Sequence, residues 1–387
     1  MTVAPTLKIE DLRTYFYSRD KQAFIRSVDG VSLEIAKGET LGVVGESGSG
    51  KSITALSVLG LISAGPGVIS GKIGFKSDRI QKNLLQDLDD FVRLTTKDGK
   101  VMAVSKDIVG WERKVERVMN KLRGKEIAMI FQNPKSSLNP FTPVGKQITE
   151  AIQLHTSIKT EKEAKELALT WLDRVKIDSP RLRFDNYPYG LSGGMCQRAM
   201  IAMALACEPS LLIADELTTG LDATIQSKVV DLLVELKSQL GITTMLISHD
   251  ISLISRLSDS VAVMYGGTVF EFGPAKDLLS TGFDSKHPYT SALLASIPSA
   301  QNIREKGYLQ AIEGDVLDTI NIPTGCRFYG RCNQVTEKIR EKCARHEPDL
   351  REIGSGHRVR CWLYFDTSAA PNPGFQGGVK RAAQYQP

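Results

Sequence analysis

The chain has 387 residues, of which 42% are apolar and 24% charged, an ordinary balance for a globular protein of two or three domains. No run of about 18 apolar residues occurs, so no membrane span is expected, and Met1 to Lys8 lacks a signal peptide's apolar stretch, which predicts a cytosolic protein. The net charge is +5, and Asn321 to Pro387 alone carries 11 Lys/Arg against 6 Asp/Glu, so the body is balanced and no nucleic-acid partner is expected.

Leu7 to Leu12 and Val31 to Ile35 alternate apolar and polar residues, which predicts an opening antiparallel pair. Tyr15, Phe16 and Tyr17 lie between them, and Phe16 is the best placed to stack on a nucleotide base. Thr40 to Val44 reads as a buried strand. Gly45-Glu46-Ser47-Gly48-Ser49-Gly50-Lys51-Ser52 follows, a phosphate-binding loop of the form G-x-x-x-x-G-K-[ST], and Ser52 to Leu61 has helical spacing. In that context the loop's N–H groups and the helix N-terminus, through Ile53, face a phosphate. Lys51 is expected to reach the β- and γ-phosphates of a nucleotide, and the Ser52 hydroxyl to ligate Mg²⁺.

Lys72 to Phe75 reads as a strand. The charged segment from about Lys76 to Arg123 reads as an insertion, with a helix from Ile80 to Phe91, a hairpin from Arg93 to Val104 turning at Asp98-Gly99, and a helix from Trp111 to Leu122. Glu126 to Phe131 is a strand closed by Gln132, a polar residue able to reach a metal or a water. Residues 145–176 are helical. Ser192 is a natural N-cap for the helix opened by Gly193-Gly194, which makes a second potential phosphate site. Ser210 to Glu216 describes a buried strand with acids at its tip. Asp215 is placed to hold Mg²⁺ and Glu216 to polarise an attacking water. Thr243 to Ser248 is the next buried strand, and His249 at its end is placed to contact a γ-phosphate. Ser260 to Tyr265 and Thr268 to Phe272 form a closing hairpin.

Six cysteines are present. Cys196 and Cys207 read as helix-packing residues. Cys326, Cys332, Cys343 and Cys361 form a C-x5-C-x10-C-x17-C cluster. In a cytosolic chain this suggests a metal or cluster site. Four thiolates suit Zn²⁺ or an iron–sulfur cluster, and the spacing lacks the paired C-x₂-C knuckles that favour zinc.

The order of these pieces resembles the ATP-binding subunit of ABC transporters. Residues 45–52 match Walker A, Gln132 the Q-loop, and Leu191-Ser192-Gly193-Gly194-Met195 the signature motif with Met195 in place of Gln. Leu211 to Asp215 match Walker B with Glu216 as the catalytic glutamate, Leu221-Asp222 the D-loop and His249 the H-loop. Gln132-Asn133-Pro134, Ser137 to Pro140, Met195 to Arg198, His287 to Thr290 and the cysteine tail are similar to the dipeptide/oligopeptide importer ATPases. Leu217, Gly220 and the length of the insertion depart from the pattern, none at a catalytic position.

The resemblance implies an α/β P-loop NTPase fold of ABC type. Its parts are a RecA-like core, an antiparallel β subdomain and a helical subdomain over about 135–205. The nucleotide-binding domain would cover 1–283, a cysteine-bearing extension 284–370 and a flexible tail 371–387. It also implies a head-to-tail pair in which Ser192, Gly193 and Gly194 of one subunit act on the partner's ATP. Expected partners are a second ATPase subunit, taken as a paralogue, two transmembrane permease subunits and an extracytoplasmic binding protein. The place of work is the cytoplasmic face of the membrane, and the cargo is a di- or oligopeptide, with nickel or a glycan as alternatives. For the tail it implies a [4Fe–4S] cluster, with Zn²⁺ as the alternative. A single Walker A loop and no sustained heptads separate the chain from the soluble ABC-type ATPases of DNA repair and translation.

Overall fold

The computed structural model describes residues 4–97, 100–280, 285–296, 312–354 and 356–365. The chain opens with strands β1 (Leu7–Ser18), β2 (Ala23–Ile35) and β3 (Thr40–Val44), followed by helix α1 (Lys51–Val58). Then come β4 (Pro66–Lys76), β5 (Gln81–Asn83), β6 (Val92–Lys97), β7 (Lys100–Lys106) and α2 (Ile108–Met119). Strand β8 (Ile127–Ile130) leads into a helical stretch: α3 (Pro134–Ser137), α4 (Val144–His155), α5 (Glu161–Arg174), α6 (Pro180–Phe184) and α7 (Gly193–Leu205). Strands and helices then alternate through β9 (Leu211–Asp215), α8 (Ala223–Leu240), β10 (Thr243–Ile247), α9 (Ile251–Leu257), β11 (Ser260–Tyr265) and β12 (Thr268–Pro274). The rest comprises α10 (Ala275–Leu278), α11 (Pro288–Ala295), α12 (Glu337–Arg345), β13 (Arg351–Gly354) and β14 (His357–Val359).

The central sheet runs β13-β14-β12-β11-β3-β10-β9-β8, with β11, β3, β10, β9 and β8 parallel. Its inner strands are apolar on both faces because both faces are covered. Alternate residues serve different cores. Val44, Leu212, Ala214, Leu246, Val261 and Val263 pack with the helical stretch, while Leu41, Val43, Leu211, Ile213, Met245 and Ile247 pack with the antiparallel sheet. That second sheet has the order β2-β1-β4-β5. Gly42 is required in β3, because a Cβ there would lie 2.6 Å from Ile254 and Ser258.

Two sequence expectations change. Ile80 to Phe91 is not an α-helix. Gln81–Asn83 pairs with the edge of β4, Asn83 Oδ1 accepts the Ile73 and Leu85 N–H groups, and Asp87 adopts φ 59 before a 3-10 turn at Leu88–Asp90. Leu84, Leu85 and Leu88 are all buried, so the helix-like spacing reports packing under an irregular loop. The helix expected at Trp111 starts three residues earlier, at Ile108, because the Asp107 carboxylate caps the Gly110 N–H at 3.0 Å. The expected hairpin forms from β6 and β7, while its Asp98-Gly99 turn lies outside the described residues, as does the tail 371–387. Tyr15, Phe16 and Tyr17 lie within β1 rather than between strands.

Candidate active site

Strands β3, β10 and β9 are neighbours in that order, with β8 beyond β9. They run parallel, so the segments after them, which carry residue 45, His249, Glu216 and Gln132, meet at one edge of the sheet. Parallel sheets commonly build their sites at this edge.

The loop after β3 needs its glycines. Gly45 has φ 153 and its Cβ would lie 2.2 Å from the Met264 carbonyl; Gly50 has φ 99 and its Cβ would lie 2.3 Å from the Ser27 carbonyl. The loop is wedged between β2 and the β11–β12 turn, where the Gly267 N–H donates to Ser49 O at 3.1 Å. Helix α1 has no side-chain cap and no acid in its first turn. Its N-terminal N–H groups are therefore unclaimed by side chains, which suits an anion. Lys51 Nζ donates to the Gly45 and Glu46 carbonyls, each at 2.8 Å. Burial pulls the Lys51 pKa below its usual value, opposed by the charges of Glu216, Asp215 and Glu46.

Ser52 Oγ donates to Asp215 Oδ1 at 3.0 Å, so the hydroxyl of the loop meets the carboxylate ending β9. Burial is the main cause that raises the Asp215 pKa; the Ser52 hydrogen bond opposes it and the Glu216 charge adds to it. Glu216 has φ 45, a backbone region unusual for a residue with a side chain, and its N–H donates to Ile247 O at 2.9 Å. Its carboxylate gathers three groups: Gln132 Nε2 at 2.6 Å, Thr219 Oγ1 at 3.3 Å and His249 Nδ1 at 3.5 Å. Gln132 lies two residues beyond β8 and reaches Glu216 rather than Ser52 or Asp215.

The second phosphate-site motif stands apart. Ser192 caps α7 by accepting the Met195 N–H at 3.3 Å, and Asp222 caps α8 by accepting the Ile225 N–H at 3.0 Å. A Cβ on Gly194 would lie 2.6 Å from Ile225, so these two helix starts abut. Among the described residues, no hydrogen bond joins Ser192, Gly193 or Gly194 to the loop at 45–52. Phe16 is half-buried, opposite Ile25 and Pro66, whereas Tyr15 is buried and its hydroxyl donates to Asp29 at 2.5 Å.

The cysteine segment packs against the strand β11–β12 side of the sheet. The Cys326 N–H donates to Cys343 O at 2.8 Å, and Phe328 enters an aromatic nest of Tyr265, Phe270 and Tyr289. Cys196 and Cys207 are buried, as expected of packing residues. Sequence reasoning named Tyr289 within the His287 to Thr290 motif but missed that its hydroxyl accepts the Glu46 N–H at 2.9 Å, and it missed Arg331, which pairs with the Glu46 carboxylate at 2.7 Å. Their partner lies more than 240 positions away, so no local pattern could reveal them.

Residues 28–219 match the ABC transporter family and residues 270–338 the oligopeptide/dipeptide transporter C-terminal region. The chain is 40% identical over 363 residues to the oligopeptide transport ATP-binding protein AppD of Bacillus subtilis, covering 94% of this chain and 98% of that protein. It is 37% identical over 365 residues to the dipeptide transport ATP-binding protein DppD of Escherichia coli, covering 94% and 98%. Its fold matches the dimeric post-hydrolysis ADP- and Pi-bound ATP-binding cassette MJ0796, with TM-score 0.53, 22% identity, and 70% of this chain and 98% of that one covered. Fold and site thus define an ATPase of ABC type. The chain belongs to the ABC-transporter ATP-binding proteins that carry the oligopeptide/dipeptide C-terminal region.

Proposed function

We propose that this chain couples ATP hydrolysis to the uptake of di- or oligopeptides, a reading supported by relatives named as oligopeptide and dipeptide transport ATP-binding proteins. It does so at the cytoplasmic face of a membrane, paired with a second ATPase subunit and docked on two permease subunits served by an extracytoplasmic binding protein. The second ATPase subunit is taken as a paralogue, and coimmunoprecipitation returning only this chain would reject that. Among the described residues no helix is long and apolar enough to cross the membrane itself.

The observation that carries the catalytic reading is the Glu216 carboxylate held among Gln132, Thr219 and His249 beside the Ser52–Asp215 pair. A hydroxyl and a carboxylate in contact are hard oxygen donors that fit Mg²⁺, with Gln132 as a third candidate ligand. Mg²⁺, when bound, supplies positive charge to the phosphates. The loop N–H groups and Lys51 hold the β- and γ-phosphates in this reading. Glu216 orients water for in-line attack, and His249 donates to the γ-phosphate oxygen as charge moves. Phe16 stacks on the base, and Ser192, Gly193, Gly194 and Asp222 complete the partner's site. Glu216→Gln is expected to bind ATP normally and hydrolyse it roughly 10²–10³-fold more slowly. Unchanged turnover would remove Glu216 from the reaction.

The extension is proposed to hold a [4Fe–4S] cluster. Burial is the main cause that raises the pKa of Cys326, to about 12, and that of Cys361, with the neighbouring cysteines adding to both. Among the described residues no group of three or more His, Cys, Asp or Glu that could hold a metal ion is formed. The proposal rests on the number of cysteines and on their sequence spacing, which lacks the paired C-x₂-C knuckles that favour zinc. Anaerobic protein is expected to show a broad visible absorption and about four iron per chain, lost in Cys332→Ser. One zinc without iron would reject this.

A further inference from the structure

A phosphate-binding loop that carries a carboxylate works against itself, and Glu46 is such a carboxylate, the second residue of the loop. Every polar group of Glu46 is engaged. Its N–H donates to the Tyr289 hydroxyl at 2.9 Å, its carbonyl accepts from Lys51 at 2.8 Å, and its two carboxylate oxygens accept from Arg331 at 2.7 and 3.0 Å. The ion pair is bidentate, with the Arg331 side chain 7% and the Glu46 side chain 20% exposed. Paired charges this sheltered are screened little by salt, and a planar guanidinium matches a carboxylate in two places at once.

Arg331 is itself fixed before it meets Glu46. Its remaining donors reach the Glu313 carbonyl at 2.9 Å, the Ile312 carbonyl at 3.3 Å and the Tyr265 hydroxyl at 3.3 Å. Its guanidinium lies 5.7 Å from the Tyr265 ring and 5.9 Å from the Phe328 ring. It occupies the 3-10 turn Tyr329–Arg331, directly before Cys332. The charge that reaches the loop is therefore supplied by the cysteine-bearing extension, not by the strands that form the loop.

We propose that Arg331 is a positioning residue of the nucleotide site: it holds and neutralises the Glu46 carboxylate, so that the loop can accept a polyphosphate. The extension is then part of the ATP site. Removing Arg331 leaves a negative charge where the phosphates must come. Removing the Glu46 charge as well abolishes the conflict.

The test measures binding of ATP, AMP and adenosine to the full-length chain for Arg331→Ala, Glu46→Gln and the double variant, with wild type as reference. Arg331→Ala is expected to weaken ATP binding about tenfold or more, the order of one uncompensated charge near a half-buried site, and to leave adenosine unaffected. Glu46→Gln is expected to bind ATP about threefold more tightly, because Arg331 then faces the phosphates unpaired. The double variant is expected to recover most of the affinity lost in Arg331→Ala. A double variant no better than Arg331→Ala would overturn the proposal. So would equal losses for ATP and adenosine, which mark a purely structural pair. If Arg331→Ala fails to fold, Glu46→Gln decides alone, since weaker ATP binding there contradicts the repulsion on which the idea rests.

Discussion

Asp215 shows at the residue scale what the site costs. Its carboxylate is buried, and that burial raises its pKa above the ordinary value. Between the ordinary and the raised pKa the folded protein binds more protons than the unfolded chain, so stability falls as pH rises through this window. The ionised form that accepts the Ser52 hydrogen bond is thus held against its own desolvation. Asp215→Asn is expected to raise the melting temperature at pH 7 by a few degrees while abolishing turnover, a trade expected at functional sites. A melting temperature below that of the parent would show that the Ser52 hydrogen bond outweighs the desolvation. Lys51 reports the same tension from the cationic side, since burial lowers its pKa while three acids oppose it. Both groups become better solvated, in effect, once an anion and a cation arrive together.

At the element scale the question is what joins the extension to the sheets. Phe328 supplies the apolar part, in its nest with Tyr265, Phe270 and Tyr289. Arg327 supplies the polar part: it donates to Asp29 Oδ2 at 2.8 Å, to the Gly266 carbonyl at 2.6 Å and to Glu347 at 2.8 Å. Asp29 also accepts from Arg13 at 2.6 Å and from the Tyr15 hydroxyl. Burial pushes the Asp29 pKa up, but Arg327, Tyr15 and Arg13 prevail and hold it below the usual carboxylate range. Its stabilising contribution is therefore complete above the unfolded pKa and is lost as pH falls through the lower folded value. With Arg327 and Asp29 only 5% and 6% exposed, Arg327→Ala removes one of the two guanidinium partners of a buried carboxylate that keeps Arg13, and is expected to cost roughly 1.5–3 kcal/mol in urea unfolding at pH 7. Arg327→Met with Asp29→Asn is expected to recover part of it, because the buried carboxylate is then neutralised along with its partner while Arg13 keeps Asp11. A cost below about 1 kcal/mol for the single change would place the pair among weak surface bridges.

At the scale of the whole molecule, the loop at 45–52 and the Ser192-Gly193-Gly194 helix start are separate surfaces of one chain, each complete in its own local chemistry. In the proposed reading a second chain brings one of each together. With the second ATPase subunit present in equal amount, hydrolysis per chain is therefore expected to rise steeply with protein concentration and to flatten once pairing saturates; a rate strictly proportional to concentration at all dilutions would mean that one chain suffices. Much of this was legible in the residues themselves. The phosphate loop, the acids ending β9, His249 and the Ser192 cap rest on local rules: a glycine where φ is positive, a hydroxyl where a helix starts, apolar runs where a strand is covered on both faces. Those rules act within a few positions, so the linear order carries them. The error at Ile80 to Phe91 came from the same source, since three buried leucines at helical spacing satisfy the pattern while Asn83 and the edge of β4 satisfy the backbone. Tertiary structure alone decided that Gln132 meets Glu216, that Tyr15 turns inward to Asp29, and that Arg331 reaches Glu46 across 285 positions. Contacts of that length depend on strand order and on which surfaces exclude water together, and neither leaves a periodic trace in the chain.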